Sequence, residues 1–117
     1  MNKVFHRNKT YFGETTYIVM EDGYGLVMVT RVAGYEKEAA IHDLIVHKDR
    51  RGEGIGRALL GEAEEEARRM GAEQVKIVTE PGSWLEEWYK RHGFQIVNLE
   101  DNDIIGARKW LIMRKSL

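Results

Sequence analysis

The chain has 117 residues, 43% of them hydrophobic, enough to bury one core, and a single domain over residues 1–117 is expected. A formal net charge of -1 implies no general attraction to nucleic acid, and the absence of cysteine excludes disulfides, thiolate zinc sites and a cysteine nucleophile. Residues 1–7 lack the apolar stretch of a signal peptide, and no apolar run approaches the ~20 residues of a membrane span, so the expectation is a soluble cytoplasmic protein with no membrane partner.

The first clear strand is expected at Tyr11 to Met20, rich in Thr, Tyr, Ile and Val, with about ten residues ahead of it. Asp22-Gly23 is a tight-turn signal, which makes Tyr24 to Val32 the hairpin partner. After Ala33-Gly34-Tyr35 turns the chain again, Glu38 to Val46 is the third long strand of an antiparallel meander. Ile55, Leu59, Ala63, Ala67 and Met70 then recur at helical spacing until Gly71 stops the helix. Glu73 to Thr79 alternates as a strand parallel to the third, closing a β-α-β crossover, and Pro81-Gly82 ends it. Ser83-Trp84-Leu85-Glu86 has the form of a capping box, with a helix running from it to Gly93. Phe94 to Leu99 is the next strand, Glu100 to Asp103 an acidic loop, and Ala107 to Met113 the closing strand. The fold class is α/β: a mixed, mostly antiparallel sheet of about six or seven strands with two main helices.

The segment Arg51-Gly52-Glu53-Gly54-Ile55-Gly56-Arg57 stands where a hydrophobic strand becomes a helix, with three glycines and two arginines. Such a turn suits a phosphate. Glycine lets the backbone approach an anion, the first N–H groups of the helix are free to point at it, and the helix dipole adds a positive end. A P-loop requires Gly-Lys-Ser/Thr at this point, whereas Gly56 is followed by Arg57-Ala58. A dinucleotide fingerprint requires G-x-G-x-x-G; starting from Gly52 the last position is Arg57, and starting from Gly54 it is Leu59. A tight turn whose glycines serve geometry alone is the competing reading.

The whole stretch from Leu44 to Leu60 resembles the acetyl-CoA-binding motif of the GCN5-related N-acetyltransferase (GNAT) superfamily, whose core is Arg/Gln-x-x-Gly-x-Gly/Ala. Here that core is Arg51-x-x-Gly54-x-Gly56, and Lys48 replaces the usual proline after the strand. A second block, Trp88-Tyr89-Lys90-Arg91-His92-Gly93-Phe94, is similar to the family's Phe-Tyr-x-x-x-Gly-Phe and follows at the expected distance.

The resemblance implies acetyl-CoA as cofactor and a primary amine, small molecule or polypeptide, as acceptor. It puts the pyrophosphate on the amides of Gly52, Glu53, Gly54, Ile55, Gly56 and Arg57, with the Arg51 and Arg57 side chains beside it, and the pantetheine arm along Leu44, Ile45 and Val46. A backbone N–H in that strand would polarise the thioester carbonyl. Tyr89 occupies the motif position whose phenol reaches the thioester sulfur in many members, so it is the expected general acid and a cofactor contact. The ordinary alternative is an amphipathic helix residue beside Trp88, Leu85 and Trp84.

No carboxylate base is inherited by alignment: Ala40 and Ile77 occupy the places where members keep a glutamate. His42, which shares a strand face with Glu38 and Ala40, is the candidate base because imidazole titrates near neutrality; Glu38 and Glu80 are lesser ones. Gly82 stands where an Asn commonly contacts the cofactor, and Ser83 is the candidate substitute. The two helices that usually wall the acceptor side between the first and second strands have no room here. The acceptor site is therefore either wide open or completed by a second subunit, as in a homodimer.

Glu62, Glu64, Glu65 and Glu66 with Arg68 and Arg69 read as a solvated helix face. Glu100, Asp101 and Asp103 read as an exposed hairpin loop or a lure for a cationic amine. His6, His42, His47 and His92 lack metal-ligand spacing, so no metal is expected. Two functional classes remain: an N-acetyltransferase, favoured because the two motifs occur together, and a catalytically silent CoA-binding sensor or interaction module.

Overall fold

The structure is a computed structural model that describes residues 2–102 and 108–117. Seven strands form one sheet in the order β1-β2-β3-β4-β5-β7-β6. They are β1 (Lys3–Thr10), β2 (Gly13–Met20), β3 (Gly25–Val32), β4 (Glu38–Val46), β5 (Gln74–Thr79), β6 (Gln95–Asn102) and β7 (Arg108–Ser116), with helices α1 (Ile55–Arg69) and α2 (Trp84–Arg91). The chain divides into two units, Met1–Val75 with Leu117, and Lys76–Ser116.

In the first unit β1 to β4 are an antiparallel meander. The N–H groups of Glu73 and Gln74 both donate to the Lys37 carbonyl, at 2.7 and 3.1 Å. The starts of β4 and β5 therefore lie side by side. Helix α1 packs on β2, β3 and β4. It buries Ile55, Leu59, Leu60, Ala63 and Ala67, and the strands bury Ile18, Val27, Val29, Ala39 and Ile41. A methyl group on Gly25 would meet Leu59 Cδ1 at 2.9 Å and Ile55 Cγ2 at 3.0 Å, so the first turn of α1 sits directly on the start of β3.

Strand β1 lies in the stretch where no strand was expected. Lys3-Val4-Phe5-His6-Arg7-Asn8-Lys9-Thr10 is polar, and its cations look inward. The Lys3 ammonium reaches Glu62 at 3.1 Å, and Arg7 grips Glu66 through Nε and Nη2 at 2.7 and 3.0 Å. Inward-pointing charges of this kind are a device of edge strands. Thr10 pairs with Gly13, so a two-residue turn, Tyr11-Phe12, is the whole connection between the first two strands. The acceptor-side helices expected to be missing are absent from that connection.

Glu66 corrects the expectation of a solvated glutamate face. It is 3% exposed, and Glu64 is buried too. The Glu66 carboxylate also accepts from Thr16 Oγ1 at 2.6 Å and from Arg69 Nε at 2.8 Å, while Arg69 reaches Glu14. Burial pushes the Glu66 carboxyl up, but the donors from Arg7, Arg69 and Thr16 outweigh it and hold it down at about 2. The helix period carried the apolar stripe but not the tertiary partners that draw a glutamate under β1 and β2.

Rows of partnered residues cross the sheet on the face away from α1. Val4, Val19, Leu26 and Ile45 form one; His6, Tyr17, Met28 and His42 the next; Asn8, Thr15, Thr30 and Ala40 the third.

In the second unit, β6 extends through Asn102, so Glu100 and Asp101 belong to a strand paired with β7, Glu100 opposite Trp110, instead of a loop. Asp103 and Ala107 lie outside the described residues. No helix among the described residues is long and apolar enough to cross a membrane.

Because Glu66 ionises far below an unfolded glutamate, its contribution is complete above the ordinary carboxyl range near 4.3 and is lost as pH falls from there toward 2. Glu66→Gln should cost roughly 1–3 kcal/mol in urea unfolding at pH 7, the partly exposed arginines turning to water, and should flatten the loss of stability between pH 5 and 2. Unchanged stability and an unchanged acid limb would show the cluster to be incidental.

Candidate functional site

The loop residues expected at the cofactor come from one continuous segment, from the end of β4 through a short 3-10 turn, Lys48–Arg50, into α1. Its geometry begins with a break in the β3/β4 ladder. Leu26 pairs with Ile45 but Met28 pairs with His42, so Asp43 and Leu44 together face Val27. This is a β-bulge, and Asp43 carries its strain at φ 51, a conformation aspartate tolerates better than most residues. The bulge changes the parity of the strand. His42 and Ile45 share the face away from α1, and Val46, paired with Gly25, returns to the α1 side. Simple alternation could not show this.

Beyond β4 the loop is held from outside. The His47 N–H donates to the Tyr24 carbonyl at 2.8 Å, and the two rings meet edge to face at 5.2 Å. Arg50 lies over the Tyr24 ring at 5.1 Å and donates to Glu53 at 3.0 Å. Arg51 Nε donates to the Val46 carbonyl at 3.2 Å, which ties the side chain expected beside a phosphate back to the strand end. Tyr24 and Asp22, partners of Arg50 from the β2–β3 turn, are supports of this loop that sequence reasoning missed.

Gly54 caps α1 at φ 82, ψ 8, in the left-handed region. Gly52 has φ 83, and an added Cβ at either glycine would meet nothing within 4 Å. Conformation, and not crowding, demands glycine at these places. The first helical bond runs from the Ala58 N–H to the Gly54 carbonyl at 3.0 Å. The N–H groups of Ile55, Gly56 and Arg57 precede that ladder, no side chain caps them, and no acidic residue stands in the first turn. Arg57 is exposed in the same turn, so donors and cation together fit an anion.

Of the remaining candidates, His42 is exposed on β4 directly before the bulge. The second unit, described by itself, carries Ser83 and Tyr89. Ser83 is the N-cap of α2, but its hydroxyl donates to the Glu80 carbonyl at 2.7 Å and accepts no helical N–H. Glu86 reaches back to the Gly82 N–H at 3.1 Å, one residue before the cap. The expected capping box is therefore not formed. The Gly82 N–H, and then Lys90, hold the Glu86 carboxyl below the usual range.

Tyr89 is set by the helix end. His92 is the C-cap, Gly93 follows at φ 94, and the N–H groups of Gly93 and Phe94 donate to the carbonyls of Lys90 and Tyr89, each at 3.1 Å. This is a Schellman stop, and its usual hydrophobic contact is Phe94 against Tyr89, ring centroids 5.3 Å apart. The Tyr-x-x-x-Gly-Phe spacing thus has a structural cause of its own. Trp88 packs on the other side of Tyr89 at 5.1 Å. Burial pushes the Tyr89 phenol up to about 12. The residue is buried, 7% exposed.

The sequence profile of the family described as "Acetyltransferase (GNAT) domain" matches residues 13–96, most of the chain, and the protein belongs to that family of acetyl-transferring domains. No protein of curated function matches it. Solved structures share its fold. A GNAT family acetyltransferase from Elizabethkingia anophelis with acetyl-CoA bound superposes with a TM-score of 0.77 at 14% identity, covering 99% of each chain. An IAA acetyltransferase from Bacillus cereus gives 0.76 at 17% identity over 99% of this chain and 100% of that one. An acetyltransferase from Bacillus subtilis in complex with CoA gives 0.72 at 20% identity over 91% and 78% of the two chains.

Gly93→Ala should cost about 1 kcal/mol or more in thermal or urea unfolding, since it forces a Cβ into the left-handed region and against Lys115 Cε at 3.2 Å. No loss of stability would contradict the stop described for α2.

Proposed function

We propose that the protein is an acetyl-CoA-dependent N-acetyltransferase acting on a primary amine. The observation that carries this reading is the first turn of α1, where three backbone N–H groups stand uncapped behind a left-handed glycine, with Arg57 beside them and no acidic residue in that turn. Family membership and the acetyl-CoA and CoA complexes of the structural neighbours support it.

Acetyl-CoA supplies an acetyl group activated as a thioester. The amides from Gly52 to Arg57 bind its diphosphate, and Arg57 adds a charge-assisted contact. Arg51, anchored at Nε, keeps its outer nitrogens for the same anion. The β4 backbone from Leu44 to Val46 runs on from the bulge and offers main-chain groups to the pantetheine arm, including an N–H to polarise the carbonyl. Ser83 is assigned a secondary contact in place of the family's asparagine.

Two protons must move. The amine attacks only when it is neutral, and His42, an exposed imidazole, is assigned the proton it gives up. The departing thiolate needs a proton, and the Tyr89 hydroxyl is assigned to provide it. A phenol held near 12 stays protonated throughout the neutral and mildly alkaline range, as an acid must. The sign is definite: burial raises this group, so its proton is present at every pH well below 12 and lost only as pH climbs through that value.

Tyr89→Phe should lower kcat at least tenfold while leaving the thermal shift given by CoA intact, measured by free-thiol release across an amine panel. An unchanged kcat would remove Tyr89 from the chemistry. Tight CoA binding with no thiol release on any amine would favour a CoA-binding module over an enzyme. Gly54→Val, which puts a branched side chain at φ 82, should abolish the CoA shift; retention of it would overturn the placement of the diphosphate.

A further inference from the structure

The geometry points to a homodimer in which a second copy of this chain covers the face of β1 to β4 that lies away from α1. That face carries more exposed apolar surface than a solvated sheet requires: Val4 is 42% exposed, Tyr17 44% and Ile45 53%. Four strands about 4.8 Å apart and about eight residues long, at about 3.3 Å per residue, cover about 500 Å2. Two copies would bury about 1,000 Å2, the lower bound for a stable interface.

The arrangement of the rows selects the occupant. A twofold axis parallel to the strands, between β2 and β3, sets β1 over the partner's β4 and β2 over the partner's β3, and it keeps every row facing itself. Val4 then meets the partner's Ile45, and Val19 the partner's Leu26, apolar on apolar. Tyr17 covers the partner's Met28. Thr15 meets the partner's Thr30, so hydroxyl faces hydroxyl. An axis perpendicular to the strands would set Val4 against Asn8 instead and bury polar groups on aliphatic ones. Asn8 against the partner's Ala40 is the one polar-on-aliphatic pair in this orientation, against Val4, Val19 and Leu26 on polar partners in the other, and the better match meets the condition for an isologous contact between aligned sheets.

One consequence rests on the acetyl-transfer reading. The partner's Val4 and His6 come to lie over Ile45 and His42 and form a wall on the acceptor side, where the Tyr11-Phe12 turn leaves the chain without helices of its own.

The molecular mass in solution, by sedimentation or light scattering, tests the dimer without reference to catalysis. Wild-type protein should have the mass of two chains, and Tyr17→Glu and, separately, Val4→Lys should have the mass of one, each with an unchanged far-UV circular dichroism spectrum. The chain has no cysteine, so a bismaleimide linker of about 10 Å, the spacing of stacked sheets, probes the orientation cleanly. The His6→Cys, His42→Cys double variant should cross-link into a covalent dimer, and His42→Cys alone should not. A monomeric wild type, a dimer that survives both charged variants, or efficient cross-linking through His42→Cys alone would overturn the proposal. Failure of thiol release in a confirmed dimer would count against the acetyl-transfer reading only.

Discussion

The left-handed backbone at Gly54 is the constraint on which the rest depends. It ends the loop and starts α1 in a single residue, so that no side chain stands in front of the first turn and the amides of Ile55, Gly56 and Arg57 remain available. A capping serine or aspartate would have satisfied one of those donors and stabilised the helix by about 1 kcal/mol. The chain forgoes that and recovers the stability elsewhere, in the burial of Ile55 and Leu59 against β3 and in the ion pairs that hold the far end of α1.

The helix is fixed at two depths by different physics. Near its start, shape decides, because Gly25 lets aliphatic side chains reach the strand backbone. Near its end, charge decides: Glu66 collects three donors from β1, β2 and its own helix. Strand β1 is held by those contacts as well as by its ladder with β2, so a polar edge strand and a carboxylate on the buried side of α1 explain each other. The same cluster ties the far end of the helix to the sheet, while the Arg50 stack on Tyr24 does so at the loop.

Much of this was legible in the sequence. The meander, the crossover, both helix stops and the glycine loop follow from β-branched runs, turn dipeptides and 3.6-residue spacing, all of which act locally. What was not legible depends on partners distant in the chain. Lys3 to Thr10 has too few apolar residues to register as a strand until Glu62 and Glu66 meet its cations. Glu66 appears solvated until the sheet covers it. The capping box fails because Ser83 finds the Glu80 carbonyl and Glu86 finds Gly82, two local hydrogen bonds as good as those they replace. The bulge at Asp43 is invisible to a count of alternating residues because it consists of the count being off by one. Among the candidate site residues, the first-turn amides of α1 are uncapped with Arg57 exposed beside them, Arg51 and Ser83 each have a competing backbone partner, and Tyr89 owes its place to a helix stop as well as to any chemistry.

The central claim is that an anion is held by main-chain N–H groups at the start of α1. Amide chemical-shift mapping tests it most directly: 15N-labelled protein titrated with CoA should show its largest changes at Gly54, Ile55, Gly56 and Arg57, with smaller ones along Leu44 to Val46. Saturable binding whose shifts fall elsewhere and leave those four amides unmoved would contradict the account.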